Sequence, residues 1–454
     1  MSRPVAIIVL AAGKGTRMKS DMPKVLHKIA GRSMIGHVLA ALEPLAPERM
    51  VVVISPGQDD VAAEVTGGAV AVETAIQHQA LGTGDAVRAA LGALEGFSGT
   101  VLVAFGGDPM FTTETLARLA AARDVDNPPD VVVLGFRTDN PDRYGRLVQD
   151  GEDRLERIVE VSEAHTIDRP VHLYNAGIMA IDGAKLKGLL AGLGTDNAKG
   201  EYYLTDIVAL AREGGGYVTV VEAPEEETLG VDSRADLARA EALMQGRLRA
   251  AALEAGVTLV APETVFFSHD TEIGRDTIVH PNVTFGPGVN IGAGVEIKSF
   301  CHLEAASVAD GAIIGPYARL RPGAEIGLGA HIGNFVEVKA ATIGAGAKAN
   351  HLSYIGDASV GAGANIGAGT ITCNYDGFSK YRTEIGAGAF IGSNTALVAP
   401  VTIGDGAIIG AGGTVTKSVE ADALAVVRGE ARVVPGGAAR FRSKRQKTKN
   451  REKG

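Results

Sequence analysis

From Ile273 onward the chain returns to an apolar residue every six positions: Ile273, Val279, Phe285, Ile291, Ile297 and Leu303, then Ile314, Leu320, Ile326, Ile332 and Val338, then Ile385, Ile391, Leu397, Ile403, Ile409 and Val415. Neither the helical period of 3.6 nor the bare alternation of a strand produces that spacing. A coil of three short strands per turn does, with each apolar side chain pointing inward and small residues at the corners. Glycine follows the apolar residue in Ile273-Gly274 and Ile403-Gly404, as such corners require. At three hexapeptides per coil, residues 265 to 418 predict roughly eight coils of a parallel β-helix. The 60 glycines of this 454-residue chain follow from the same repeated turn. They exceed the usual share of about 7% without a collagen period.

The first half has a different rhythm. Short apolar runs, Val5–Leu10, Val51–Ile54, Val101–Phe105 and Val131–Leu134, alternate with amphipathic stretches up to about residue 230, the pattern of buried parallel strands in an α/β domain. The first run delivers the loop Leu10-Ala-Ala-Gly-Lys-Gly-Thr-Arg-Met18. Gly13 and Gly15 let backbone N–H groups approach a phosphate, while Lys14, Arg17 and Lys24 supply positive charge. The dinucleotide fingerprint would need glycine where Met18 stands, and the Gly-Lys-Ser/Thr ending of a P-loop is absent, so the loop is of another type. A glycine-rich strand-to-helix turn without a ligand is the plainer alternative.

With 46% apolar and 21% charged residues the chain is globular, and 454 residues suffice for two or three domains. The two cysteines, Cys301 and Cys373, make no disulfide framework, and no signal peptide precedes the first strand, so a cytoplasmic protein without a membrane span is expected. The net charge of −9 is uneven: eight basic residues against one acid give residues 440–454 a charge of +7 and leave −16 for the rest. A disordered, solvated tail is the expected form of residues 436–454, and the acidic body argues against nucleic acid as a partner.

The stretch from Leu10 through Ser20-Asp-Met-Pro-Lys24-Val-Leu26 resembles the signature of the sugar-1-phosphate nucleotidylyltransferases. More narrowly, it resembles the bifunctional N-acetylglucosamine-1-phosphate uridylyltransferase/glucosamine-1-phosphate N-acetyltransferases. That likeness, carried by motifs from about residue 5 to about residue 430, implies a Rossmann-like, mostly parallel sheet followed by a left-handed parallel β-helix. It implies a uridylyltransferase domain over 1–232, a helical linker over 233–256, an acetyltransferase domain over 257–435 and the tail from 436. Arg17 and Lys24 would neutralise the UTP phosphates, with Leu10, Ala11, Ala12 and Gly13 at the nucleotide. Gln77, Gly82 and Thr83 stand in the uracil-reading segment, although Asp85 replaces the usual histidine and Ala80 a frequent glutamine. Gly145, Glu160, Asn175 and Thr205 would hold the amino sugar, and Ser162 departs from a lysine common after the glutamate.

The resemblance also implies Mg²⁺ at Asp108 and Asp232. The motif Phe105-Gly-Gly-Asp-Pro-Met110 puts Gly107 where the family's aspartate belongs, so either Asp108 takes that role on a shifted backbone or the metal site is damaged. Asp232 suits a hard cation by charge. It or Ser233 also suits the N-cap of a helical pattern that runs to Ala255 and stops at Gly256.

In the second half, Gly333–Lys339, Asn350–Asp357 and Gly367–Gly377 resemble the acetyltransferase half of the same family. Transfer of acetyl to an amine needs a base of near-neutral pKa, and His351 is the candidate. By resemblance Arg321 and Lys339 bind the sugar phosphate, Tyr354, Asn365 and Lys380 complete the glucosamine pocket, and Asn374, Tyr375, Ser393, Ala411 and Arg428 face acetyl-CoA. Cys373 is read as a packing residue. Homotrimers are implied, because in this family neighbouring β-helices share the acetyltransferase site. The implied product, UDP-N-acetylglucosamine, feeds cell-envelope synthesis. Three other readings remain open: a glucose-1-phosphate nucleotidylyltransferase, a monofunctional acetyltransferase, and a non-catalytic binding protein.

Overall fold

A computed structural model describes residues 3–67, 71–141, 144–150, 154–167, 170–427, 429 and 432–451. The chain divides into two compact units, one comprising Met1–Ala251 with Phe267–His269 and the other Ala252–Phe266 with the residues from Asp270 onward.

The first unit is built on a nine-stranded sheet: β1 (Val5–Leu10), β2 (Arg49–Ile54), β3 (Glu73–Ile76), β4 (Thr100–Phe105), β5 (Val131–Phe136), β6 (Arg146–Gln149), β7 (Leu155–Val159), β8 (Tyr174–Asp182) and β9 (Val218–Glu222). Its main order is β9-β5-β8-β4-β1-β2-β3, with β6 pairing β8 and β7. β1 lies in the middle because both its faces are apolar. Ile8 and Leu10 join one core with Val101, Val103, Val131 and Val133, while Ile7 and Val9 join another with Val52, Leu102, Ala104 and Val132. Each fully buried Ile or Val contributes roughly 1.5–3 kcal/mol relative to exposure. The runs expected as parallel strands are strands, but β8 enters antiparallel between β4 and β5, so those two do not touch. β1 pairs in parallel with both β2 and β4. Helices α1 (Met34–Leu42), α2 (Asp59–Thr66), α3 (Thr83–Ala89), α4 (Thr113–Ala121), α5 (Gly183–Ala191) and α6 (Ile207–Glu213) connect the strands.

The predicted helix after Asp232 is α7 (Arg234–Glu254), and Gly256 follows with φ +87°, a conformation that suits glycine and ends the helix. Its Leu237, Leu243 and Met244 pack on Ile29, Met34, Met110, Leu229 and Val231.

The second unit is a parallel β-helix. Of the seventeen hexapeptide positions above, all but Ile273 are buried in its core. One face is a column of ten strands from Thr258–Leu259 to Leu424–Ala425, so the coil runs beyond the expected 265–418 at both ends. The terminal coils escaped the pattern because end repeats lose the regular inward residue. Partners stack 16 to 18 residues apart, as in Leu424 on Ile408, Asn365 on Lys348 and Ile408 on Phe390. One step is longer. Ala358 pairs with Thr383, 25 residues on, and the extra chain forms a loop over Asn374–Arg382.

The tail expected to be disordered is a helix, α8 (Gly437–Arg451). Alanine, arginine, lysine and glutamine are strong helix formers, so local propensity suffices without an apolar face to bury. Among the described residues no helix is long and apolar enough to cross a membrane.

Candidate active sites

In the first unit the end of β1 opens into a cleft of about 240 Å³. Leu10, Ala11, Ala12, Gly13, Lys14, Lys24, Gln77, Gly82 and Thr83 all line it, together with Ala80, Phe105, Gly107 and Glu201. The loop is pinned where it leaves the sheet: Ala11 N donates to Val53 O at 2.8 Å, and Ser55 Oγ to Ala12 O at 2.7 Å. Gly15 has φ +59°, and a Cβ there would stand 2.6 Å from the Cβ of Lys24. Glycine at 15 therefore lets the lysine cross the loop into the cleft.

Lys24 Nζ and an Arg17 guanidinium nitrogen each lie 3.0 Å from Asp232, one at each carboxylate oxygen. Asp232 is held opposite Gly107, because Val231 N donates to Gly107 O at 2.9 Å. The cap of α7 is Ser233 and not Asp232. Ser233 Oγ accepts from Asp236 N at 3.2 Å while Asp236 Oδ2 accepts from Ser233 N at 2.9 Å, a reciprocal capping box that leaves the Asp232 side chain to Lys24 and Arg17.

The glycine at 107 alters the acid set. A Cβ at that position would lie 2.7 Å from Lys24 Nζ, so the ammonium occupies the room a side chain would need. Asp108 is absent from the cleft lining. It borders instead a small apolar recess with Val38, Leu42, Phe111, Leu116 and Ile178. Desolvation pushes its carboxyl up to about 7, the nearby Lys24 opposes the rise and Asp232 adds to it. Mg²⁺ takes one or two carboxylates and completes its shell with phosphate oxygens and water. Asp232, with one-third of its side chain exposed, fits that role, whereas Asp108 is drawn back from it. Among the described residues no group of three or more His, Cys, Asp or Glu side chains gathers as a ready-made metal site.

The residues expected at the sugar are joined in pairs on the same unit. Asn175 N donates to Gly145 O at 2.8 Å, the Asn175 side-chain oxygen accepts from Gly177 N at 2.9 Å, and Thr205 Oγ1 donates to Glu160 at 3.1 Å. The segment expected to read uracil is tied to the Glu201–Asp206 motif: Gly84 N donates to Tyr202 O and Tyr202 N to Leu81 O, both at 2.8 Å. Asp206 is pushed above the usual carboxylate range by burial and by Glu163 and Glu160.

On the β-helix, His351 ends the strand Lys348–His351 and pairs in register with Asn334. The His351 Nδ1 lies 2.7 Å from Asn334 Oδ1. An amide oxygen only accepts, so Nδ1 carries the proton and Nε2 keeps the lone pair a base needs. Asn334 was not singled out from the sequence. The signal was present, since it stands 17 residues before His351, which is one coil.

Beyond the corner after His351, one outer face gathers the other groups. Arg321 donates to Glu337 at 2.8 Å, and that bond raises the pKa of its guanidinium further. Lys339 Nζ lies 3.7 Å from Asp357, which also accepts from the Asn374 amide. Asn374 Nδ2 reaches the Tyr354 hydroxyl at 3.5 Å. Tyr354 can lie across position 356 only because a glycine is there: a Cβ would meet its hydroxyl at 2.3 Å. Lys380 and Tyr375 face each other across the inserted loop as an antiparallel bridge. Asn365 belongs to the ten-stranded face, between Lys348 and Phe390. Ser393 and Ala411 sit on successive coils, with Gly392 backed against Ala411 N. Arg428 lies outside the described residues. Cys373 is half-buried, while Cys301 is buried and its thiol is pushed up to about 11.

Residues 7–176 match the MobA-like NTP transferase domain, and residues 270–305 and 382–417 match the bacterial transferase hexapeptide (six repeats). The bifunctional protein GlmU of Paramagnetospirillum magneticum is 56% identical over 443 residues, covering 97% of each chain. That of Rhodospirillum rubrum is 60% identical over 438 residues, covering 96% of this chain and 97% of its own. That of Jannaschia sp. is 52% identical over 442 residues, covering 97% of this chain and 96% of its own.

Proposed function

Because this chain belongs to the family of bifunctional GlmU proteins, we propose that its cleft and its β-helix face are the two active sites of one sugar-nucleotide synthase. The chain is a bifunctional transferase. It acetylates glucosamine 1-phosphate with acetyl-CoA, then joins the resulting N-acetylglucosamine 1-phosphate to UMP from UTP, releasing pyrophosphate. The product, UDP-N-acetylglucosamine, feeds cell-envelope synthesis. The observation that carries this reading is kinship at 56% identity across 97% of the chain, which spans both halves at once. Residues 1–232 serve as the uridylyltransferase domain, 233–256 as the linker, 257–435 as the acetyltransferase domain, and 436–454 as the basic tail.

In the acetyltransferase half, Arg321 and Lys339 hold the sugar phosphate, to which fixed cations on a rigid face are suited. Tyr354, Asn365 and Lys380 hold the sugar. The amine attacks the thioester carbonyl while His351 Nε2 takes the proton the nitrogen sheds. The C–S bond then breaks and the departing thiolate receives a proton. Asn374, Tyr375, Ser393, Ala411 and Arg428 bind acetyl-CoA. His351 and Tyr375 stand exposed on the outer surface, which supports closure of the site by neighbouring copies in a homotrimer.

In the uridylyltransferase half, an oxygen of N-acetylglucosamine 1-phosphate attacks the α-phosphorus of UTP and pyrophosphate leaves from the opposite side. Catalysis here is positioning and charge neutralisation. Leu10 to Gly13 cradle the phosphates, Lys24 and Arg17 turn from Asp232 toward them, Gln77, Gly82 and Thr83 receive the base, and Gly145, Glu160, Asn175 and Thr205 receive the sugar. Asp232 would hold Mg²⁺, which supplies further charge neutralisation when bound. Asp108, whose neutral form burial favours, stays behind Lys24 and Asp232. A cytoplasmic site of action suits substrates of this kind.

The experiment is pyrophosphate release from UTP and N-acetylglucosamine 1-phosphate with and without Mg²⁺. Mg²⁺-dependent release is expected. Its absence, in a preparation that still acetylates glucosamine 1-phosphate, would leave a monofunctional acetyltransferase.

A further inference from the structure

We propose that Asp85 is a positioning residue for base selection: it locks the Gln77 amide with its oxygen toward the cleft, which favours uracil, with its ring N–H, over cytosine. The inference rests on the reading of this cleft as the UTP site with Gln77 at the base.

Gln77 is 7% exposed and lines the cleft just beyond β3, with its backbone N–H donating to Ile54 O at 2.9 Å. Its side-chain Nε2 donates to Asp85 Oδ2 at 2.9 Å and to Gly82 O at 3.1 Å. Those two bonds use both protons of the amide. Turning the amide over would set its oxygen against a carboxylate and a carbonyl, so two hydrogen bonds would be replaced by two acceptor–acceptor contacts. A carboxylate at 85 enforces one orientation because it can only accept; a side chain able both to donate and to accept would permit either.

The two partners that impose this orientation are themselves fixed. Asp85 stands in the first turn of α3, where a negative charge is favoured. The Gly82 carbonyl belongs to a segment zipped to Tyr202, and at φ +114° a Cβ on Gly82 would meet Tyr202 O at 2.6 Å, so only glycine lets the segment close that tightly. What remains to the cleft is the Gln77 Oε1, an acceptor. Uracil offers it the N3–H as a donor, while cytosine presents a bare N3 lone pair to the same atom. Discrimination then comes from a buried polar group that one base satisfies and the other leaves unpaired, the situation in which hydrogen-bonding sites separate near-isosteres well.

The test uses the full-length chain and measures UTP and CTP twice: by equilibrium binding, and by kcat/KM with N-acetylglucosamine 1-phosphate. Asp85→Asn keeps the shape of the side chain but can present an N–H as well as an oxygen, so only the Gly82 carbonyl still demands a donor from Gln77 and the turned amide is penalised by one contact instead of two. The preference for UTP over CTP is expected to fall by about tenfold, the usual effect of one misplaced hydrogen bond. Acetyl transfer by the same preparation stays at the wild-type rate and reports that the chain is folded. Gln77→Ala is expected to erode the preference as well. If Asp85→Asn retains the wild-type preference, or weakens both nucleotides equally, while Gln77→Ala loses it, the positioning role is overturned and the reading of Gln77 stands. If neither substitution changes the preference, the assignment of Gln77 to the base is overturned too.

Discussion

Replacing Asn334 by alanine removes the group that sets the proton on His351. The contact is a 2.7 Å hydrogen bond between side chains on adjacent coils, and the backbones that carry them pair in register, so the geometry depends on the coil and not on a flexible loop. One such bond contributes about 1–1.5 kcal/mol net. At 1.36 kcal/mol per tenfold, the acetyl-transfer kcat of Asn334→Ala should fall by about tenfold. Loss of the base itself in His351→Ala should cost about 10²–10⁴-fold. Asn334→Asp is the sharper probe. A carboxylate beside Nδ1 favours the imidazolium and raises the histidine pKa, so the acidic limb of the pH–rate profile should move upward. The assay is acetylation of glucosamine 1-phosphate followed by thiol release between pH 6 and 9, with uridylyl transfer as the internal control. A wild-type kcat for Asn334→Ala, together with an unmoved profile for Asn334→Asp, would refute the argument that Asn334 sets the tautomer.

Other expectations concern the first unit. Gly15→Ala places a methyl 2.6 Å from Lys24 Cβ at φ +59° and should weaken UTP binding by an order of magnitude or more while acetyl transfer persists, measured by nucleotide titration. Asp232→Asn should depress uridylyl transfer by about 10²-fold and raise the Mg²⁺ concentration for half-maximal rate; an unchanged metal dependence would remove Asp232 from the metal. Burial favours the neutral form of Asp108 in the folded chain, so its ionisation opposes folding progressively as pH rises from about 4 toward 7. In metal-free buffer Asp108→Asn should therefore raise the melting temperature at pH 8 more than at pH 5, and an equal shift at both would contradict that origin.

The features most legible in the sequence were those written in local pattern. The hexapeptide register placed sixteen of its seventeen apolar residues in the core, because each strand's inward position is fixed by the corner before it. The loop after β1 was equally plain, since Gly13, Gly15 and Lys24 are close in sequence as well as in space. What stayed hidden was set by distance. Asn334 meets His351 only through coil stacking, and β8 enters antiparallel between two of the runs that read only as parallel strands. Lys24 fills the room left by Gly107, and Asp108 turns to an apolar recess; backbone path, not residue type, decides both. That Ser233 and not Asp232 caps α7 also needed coordinates, because either residue is a good cap on composition alone. The 25-residue step shows the converse limit: the repeat broke visibly near Asn374, yet a break does not say that the coil resumes in register beyond it.

One chain performs both transfers. The most direct measurement supplies only glucosamine 1-phosphate, acetyl-CoA, UTP and Mg²⁺ to the purified protein and follows free CoA, N-acetylglucosamine 1-phosphate and UDP-N-acetylglucosamine over time. Early appearance of the acetylated sugar phosphate is expected, followed by its conversion to UDP-N-acetylglucosamine with one pyrophosphate per product. Accumulation of N-acetylglucosamine 1-phosphate without pyrophosphate would contradict it.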